Sequence, residues 1–400
     1  MTVQGTRGGD AAGRNEQRRG ACQPSASAET CRRCQSPGEA GEAVLLLGAR
    51  DVNARATLVK ALRAANRIVF EERGDGLLAV PNVSRRLDGL WDALRNLSAA
   101  ARSAVRGAIL PGERADCAAS VCDALLHHAD GLDALLSRAE HEWVREALRD
   151  DWLFSLFHPI VEARTGNVFA HEALIRARRP GTDEIIRAGP IIGACERLDL
   201  QHVLDQRARQ SAIRGAARFL GDNATGGRVF INFLPNTIYD PEVCLRTTME
   251  TVRECGMDPA RLVFEVVETE QIPDIRRLKV ILDYYRARGV GTAVDDMGAG
   301  FSSLRYLTEL RPNFVKLDRD LVVRAERGEE SAQSAMDSIV STAKNLNIAV
   351  VAEGIETREQ RALCLSVGVD YLQGFLFARP ACPPERVNAL AFEEPLLRAA

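Results

Sequence analysis

Acidic and carboxamide residues recur at or near the ends of short apolar runs in the second half of this chain. Glu172 sits in NVFAHEALI, Asn232 closes RVFIN, Glu265 lies in LVFEVVE with Glu268 three residues on, Asp295 and Asp296 close GTAVDD, and Glu353 closes IAVVAE. Lys316 and Asp318 end FVKLD, and Gln373 ends DYLQ. Carboxylates and a carboxamide are hard oxygen donors, the kind that hold Mg2+ or Mn2+. No cluster of His or Cys competes for a softer ion. Brought together without cations, the five carboxylates Glu172, Glu265, Asp295, Asp296 and Glu353 would repel, and some would protonate. Two divalent ions would neutralise most of that charge and stabilise both the attacking and the leaving oxygen of phosphodiester hydrolysis. Lys316 could then orient or deprotonate the attacking water. Taken singly, each residue has a plainer use. An acid after a strand is often the N-cap of the next helix, Asn232 shortly before Pro235 could shape a turn, and Lys316 could be an ordinary ion-pair partner. Recurrence of the same event on at least five strands is what favours chemistry.

The elements that must position these residues read as repeated strand–helix units. Strand candidates are 154–163, 167–175, 228–233, 262–268, 291–296, 314–318, 348–353 and 370–374, with helical spacing over 201–220, 241–255, 274–288, 332–345 and 357–366. The first two strands are separated only by Arg164-Thr165-Gly166, a hairpin turn, so one strand should be antiparallel. The others need crossovers and should be parallel. Eight strands in about 245 residues predict an α/β fold, a modified (β/α)8 TIM-like barrel over 151–395, whose strand C-termini converge on one rim.

Upstream, residues 1–42 are rich in Gly, Ala, Ser, Arg and Glu without apolar periodicity and read as a disordered tail. Residues 43–148 read as a small α/β or α+β domain, regulatory or dimerising in use and without a catalytic constellation. A strand is expected at 43–49, a helix at 51–66, short strands at 67–72 and 76–80 around an Arg73-Gly74-Asp75 turn, and helices near 83–105, 114–127 and 130–148. Cys31 and Cys34 form a lone CxxC without a second ligand pair, and the other cysteines are scattered among apparent helices and strands as small hydrophobes. A net charge of −3 argues against an electrostatic grip on a nucleic acid polymer or an anionic membrane. The chain shows neither an apolar run of spanning length nor a signal-peptide core, so a cytoplasmic protein is expected.

These blocks together resemble the EAL-domain family, the cyclic di-GMP phosphodiesterases of bacterial signalling. The naming motif stands as Glu172-Ala173-Leu174, continued by Ile175-Arg176, and INFLP (231–235), FEVVE (264–268), DDMGAGFSSL (295–304), FVKLD (314–318), VVAEGIET (350–357) and LQGFLFARP (372–380) follow in order. The resemblance implies metal-dependent hydrolysis of cyclic di-GMP to linear pGpG, with two Mg2+ or Mn2+ ions held by Glu172, Asn232, Glu265, Asp295, Asp296 and Glu353. It further implies that Asp295 bridges the ions. Lys316 and Gln373 would hold the water, with Lys316 as general base. Leu174 and Arg176 would contact substrate, the latter through a phosphate. Glu268 would anchor the loop after Asp296, which links the metals to the interface of a homodimer formed through the barrel. The alternative within the family is a catalytically silent cyclic di-GMP receptor, which loses ligands; none is lost here. Some positions depart from the usual pattern: His158 for Gln, Ala177 for Trp, Leu234 for Ser, Val267 for Thr, and Met297 and Ala299 for Phe and Thr.

Overall fold

The computed structural model describes residues 43–392 apart from 66–67, 74–75, 82, 84–87, 112–117, 128, 221–226, 239, 268–274 and 299–302. The tail at 1–42 with Cys31 and Cys34, the turn at 74–75, and Glu268 lie outside the described residues.

The first sheet is small and antiparallel. Strands β1 (Ala43–Ala49), β2 (Glu71–Glu72), β3 (Leu78–Val80), β4 (Val105–Pro111) and β5 (Asp130–Gly131) lie in the order β2-β3-β1-β4-β5. The apolar run of β1 is buried on both faces. Leu45 and Leu47 pack on Leu58, Leu62, Leu90 and Leu132 from the helices, while Leu46 packs on Ala79 and Val121 from the other side. The sequence predicts one helix near 83–105. The structure instead has helices Asp88–Arg95 and Ala99–Ser103, then the unanticipated β4. That strand pairs with β1 over its whole length, and Gly107 permits the approach, since a Cβ there would stand 2.6 Å from the Leu46 carbonyl oxygen. Long-range pairing decides this segment over its local pattern.

The second sheet closes on itself. Strands β6 (Leu153–Glu162), β7 (Val168–Arg178), β9 (Arg228–Asn232), β10 (Leu262–Val267), β11 (Gly291–Met297), β12 (Phe314–Leu317), β13 (Ala349–Ala352) and β14 (Tyr371–Gln373) form an eight-strand barrel. A two-residue β8 (Ile185–Ile186) pairs with β7 alone. β6 runs antiparallel to both its neighbours, β7 and β14, and closes the ring. The tight 163–167 connection imposes this direction, because a parallel return would need a crossover. Every other barrel pairing is parallel. Helices Ala188–Arg197, Ser303–Leu310 and Arg319–Glu326 add to those the periodicity predicts.

Alternation along the strands sorts the side chains. Phe264, Val294, Val315 and Val350 face outward into the core shared with the helices. Ile160, Ala170, Phe230, Val263, Ala293, Phe314 and Val351 face inward and form a separate apolar plug, with Tyr371 packed on it. The barrel is therefore a filled core, and chemistry is confined to its ends. Helix Trp143–Arg149, before the first barrel strand, packs Val144 and Leu148 on Leu153, Ala177 and Ile191. Among the described residues no helix is long and apolar enough to cross a membrane.

Candidate active site

The plug locates the site by arithmetic. Side chains two apart on a strand share a face. Counting two residues onward from Ala170, Phe230, Val263, Ala293, Phe314, Val351 and Tyr371 gives Glu172, Asn232, Glu265, Asp295, Lys316, Glu353 and Gln373. On β6 the direction is reversed, so the rim residue comes two before Ile160, at His158. Each of the eight strands thus places one residue in a ring at the C-terminal rim. The ring includes every predicted carboxylate except Asp296, which is out of phase by one.

A bulge brings Asp296 in. Between Val294 and Met297 of β11 the partner strand advances only from Val315 to Leu317. The extra residue is accommodated by the left-handed backbone of Asp296, φ 58°. The Asp296 amide then donates to Asp295 Oδ1 at 2.9 Å. Both aspartates face one site, which regular alternation would forbid.

Lys316 occupies the centre and is fully buried. Its Nζ lies 3.1 Å from Glu265 Oε1, 3.3 Å from Asp295 Oδ2 and 3.7 Å from Glu172 Oε1, and it pairs with Glu353 as well. Burial opposes its charge, but Asp295, Glu172, Glu265 and Glu353 together outweigh burial and hold the ammonium well above its ordinary pKa. For Glu265 and Glu353 burial comes first and wins, pushing both carboxyls well above the usual range despite Lys316. Burial and then Asp295 push Asp296 up to about 6. Burial lowers the affinity of His158 for a proton, despite nearby Glu172. Of the site's carboxyls Glu172 alone is lowered: burial opposes its charge, but Lys316 and the amides of Gln373 and Asn232 favour the anion. Gln373 Nε2 donates to Glu172 at 2.7 Å and Asn232 Nδ2 at 3.2 Å.

The residues fit a pair of hard cations. Glu172, Glu265 and Asp295 offer oxygens within 4.8 Å of one another, as do Asp295, Asp296 and Glu353. The two triples share Asp295. Among the described residues, the fully buried Glu265 faces Lys316 Nζ at Oε1, and its Oε2 has no hydrogen-bond partner. A buried carboxylate oxygen without a partner is costly unless a proton or a cation takes it up, and a divalent ion at the triple would do so.

The remaining predicted residues divide. Leu174 lines a cleft of about 920 Å³ that also takes in Asn232, Leu234 and Asn236. Arg176 is half-buried and donates to its neighbour's carbonyl, Ile175 O, at 2.7 Å. Asp318 is the N-cap of helix Arg319–Glu326, accepting from the Asp320 amide, so there the plain capping reading of a strand-end acid is the correct one. Two supporting roles are not read from the sequence. His158 stands in the sequence only as a departure from the family's Gln, and its place in the ring follows from the antiparallel register of β6. Asp205, paired with Arg209 inside helix Gln201–Leu220, accepts from the Leu234 amide and the Thr237 hydroxyl, both at 2.9 Å, and so fixes the loop after Asn232.

Fold and rim together define an α/β barrel protein with a candidate divalent-metal centre. The sequence profile of the EAL domain matches residues 141–380, and the chain belongs to the EAL-domain family. Cyclic di-GMP phosphodiesterase NbdA of Pseudomonas aeruginosa is 30% identical over 239 residues, which are 60% of this chain and 30% of that protein. Cyclic di-GMP phosphodiesterase PdeL of Escherichia coli is 31% identical over 226 residues, 56% of this chain and 60% of PdeL. The match therefore spans under a third of one relative and under two thirds of the other. A standalone EAL protein from Vibrio cholerae O395, solved in a cyclic di-GMP-bound form, is 34% identical with a TM-score of 0.53, covering 60% of this chain and 98% of that one. The PaMucR phosphodiesterase in its cyclic di-GMP complex is 28% identical with a TM-score of 0.54, covering 60% of this chain and 96% of that one.

Proposed function

We propose that this protein hydrolyses cyclic di-GMP to linear pGpG at the ring, with two Mg2+ or Mn2+ ions held by Glu172, Asn232, Glu265, Asp295, Asp296 and Glu353. The observation that carries the reading is the pair of carboxylate triples sharing Asp295, in a barrel whose relatives include named cyclic di-GMP phosphodiesterases. Bound ions of this kind lower the pKa of a water and stabilise attacking and leaving oxygens. The water oxygen adds to phosphorus as one ester P–O bond breaks, giving a phosphate monoester and an alkoxide that takes a proton from solvent to become the hydroxyl. Gln373 Oε1 accepts from that water. Lys316 takes its proton: carboxylates whose charge is spent on a ligand no longer support the ammonium, and burial then favours the neutral amine. Arg176 faces a substrate phosphate, and the cleft at Leu174 receives a flanking base.

The protein acts in this reading as a homodimer through the barrel, with Glu268 anchoring the loop after Asp296. It works in the cytoplasm, where the six described cysteines, all free thiols, remain reduced. Residues 43–148 supply regulation.

The test is incubation of the purified full chain with cyclic di-GMP and Mn2+, with products separated by chromatography. Linear pGpG is expected, with turnover abolished in Glu172→Ala and in Asp295→Asn. Full turnover in either variant refutes the site. Calorimetric binding without product over hours makes the protein a receptor, and absence of both heat and product makes the barrel a scaffold.

A further inference from the structure

The ring position that the sequence does not mark as chemical is His158. It comes from the strand that runs against the others, and its backbone pairs with Glu172 across the β6–β7 seam. The side chain is 8% exposed, with Phe375 beside it at 5.9 Å between ring centroids. His158 Nε2 lies 3.1 Å from the carbonyl oxygen of Ala378. A carbonyl only accepts, so the tautomer that serves Ala378 carries its proton on Nε2 and leaves Nδ1 of the neutral ring an acceptor, with the Gly374 carbonyl a second acceptor beside the ring. Gln373 Nε2 stands 2.9 Å from that Nδ1 and donates to Glu172 Oε2 at 2.7 Å. Both protons of the amide nitrogen are thereby committed.

The two acceptors do different things. Glu172 selects which end of the amide faces it, since an oxygen there would meet a carboxylate oxygen. One hydrogen bond still leaves the amide plane free to turn about its last torsion, which is intrinsically broad. The second bond, to His158, removes that freedom. The amide oxygen is then held on the far side of a fixed plane. It is buried and, among the described residues, has no hydrogen-bond partner.

We propose that His158 is a positioning residue for the hydrolysis: its Nδ1 lone pair fixes the amide plane of Gln373, so that Gln373 Oε1 is held ready to accept from the attacking water. This rests on the phosphodiesterase reading, in which Gln373 holds that water. The chemical requirement on position 158 is one acceptor toward Gln373 and one donor toward the Ala378 carbonyl. A neutral histidine meets it, and so does glutamine.

Two variants of the full chain test this. His158→Leu removes both polar atoms, and His158→Gln restores one donor and one acceptor. With cyclic di-GMP and saturating Mn2+, His158→Leu is expected to lose about a hundredfold in kcat with KM changed less than about twofold, and His158→Gln to recover at least about tenfold of that loss. The second readout needs neither metal nor turnover. Nitrogen-15 spectra of the metal-free wild type are expected to show His158 as the Nε2–H tautomer, with slowly exchanging side-chain amide protons on Gln373; in His158→Leu those protons exchange faster. Wild-type kcat in a folded His158→Leu overturns the proposal, as does an Nδ1–H tautomer. If His158→Leu does not fold, the wild-type tautomer decides, and a His158→Gln kcat reduced about a hundredfold counts against it. If the wild type forms no product, the phosphodiesterase reading fails by itself, while tautomer and amide exchange still decide whether His158 orients Gln373.

Discussion

Consecutive aspartates pose a geometric problem, because neighbours on a strand face opposite ways. The bulge at Asp295 and Asp296 solves it with one residue in the left-handed region, φ 58°. Aspartate tolerates that region better than branched residues do. The cost is a second acid brought into a buried, already acidic ring: burial first, and then Asp295, raise Asp296 to about 6. The sign of its pH dependence follows. Below about pH 6 the carboxyl holds a proton that a cation must displace, so Mn2+ affinity falls as pH falls. From this group alone the dissociation constant is expected to rise about tenfold between pH 7 and pH 5, and more with Glu265 and Glu353 also raised. Calorimetry across that range checks it, and Asp296→Asn should flatten the slope; an affinity independent of pH would remove Asp296 from the ligand set. Without a cation the folding linkage has the opposite sense. A carboxyl raised in the folded state costs stability above pH 6, and the cost is relieved as pH falls through 6 toward the unfolded value.

At the scale of elements, the ring depends on strand ends being held level with one another. The turn after Glu353 is fastened to the end of β14: the Ile355 amide donates to the Gln373 carbonyl at 3.0 Å, and the Leu376 amide donates to the Ile355 carbonyl at 3.0 Å. Gly374 makes this approach possible, since a Cβ there would stand 2.0 Å from Ile355 O and 2.3 Å from Ile355 N. Those contacts are backbone and cannot swing aside. Gly374→Ala is expected to cost about 1–3 kcal/mol of stability and to weaken Mn2+ binding by separating Glu353 from Gln373. Gly368→Ala is the comparison. Gly368 ends helix Arg358–Val367 at φ 90° with nothing within 4 Å of an added Cβ. It should lose stability through backbone strain alone and keep its metal affinity. Denaturant melts and calorimetry on both variants separate the two effects; equal Mn2+ affinity in both would show that the 374 contact does not set the ring.

For the whole molecule, the question is where the barrel begins as a folding unit. Val144 and Leu148, ahead of the first barrel strand, are buried in a cluster with Leu153, Ala177 and Ile191. Helix Leu132–His141 belongs to the other core through Leu132, Leu135 and Leu136, and Ser137 on it receives a hydrogen bond from Arg197 at 3.4 Å. A chain beginning at 141 keeps the first cluster intact, and one beginning at 151 exposes its apolar lining. Two buried aliphatic side chains correspond to roughly 3–6 kcal/mol. The 151–400 chain is therefore expected to unfold at lower denaturant than 141–400, with aggregation as a second sign. Equal midpoints would place the start of the unit after the helix at 143–149. Changed kinetics or oligomeric state in 141–400 relative to the full chain would support regulation by the first sheet; unchanged values would remove that role.

The sequence by itself determined the residue types, their recurrence at strand ends and the barrel class, because a period of two and a strand–helix alternation are local properties of the chain. It also determined the antiparallel first strand, through a connection too short for a crossover. Four things only the tertiary structure decided. The bulge that aligns Asp295 with Asp296 is visible only against the register of β12. Asp318 and Glu353 look alike at strand ends, yet one caps a helix and the other joins a carboxylate triple, a difference set by where the next helix starts. His158 enters the ring because its strand runs backward, so its partner Gln373 is 215 residues away in the chain. Strand β4 belongs with these, since a short run broken by Gly107 becomes a central strand only when β1 is beside it. Apart from the local cap at Asp318, the deciding contact is long-range, and no local pattern encodes which distant backbone will be the neighbour.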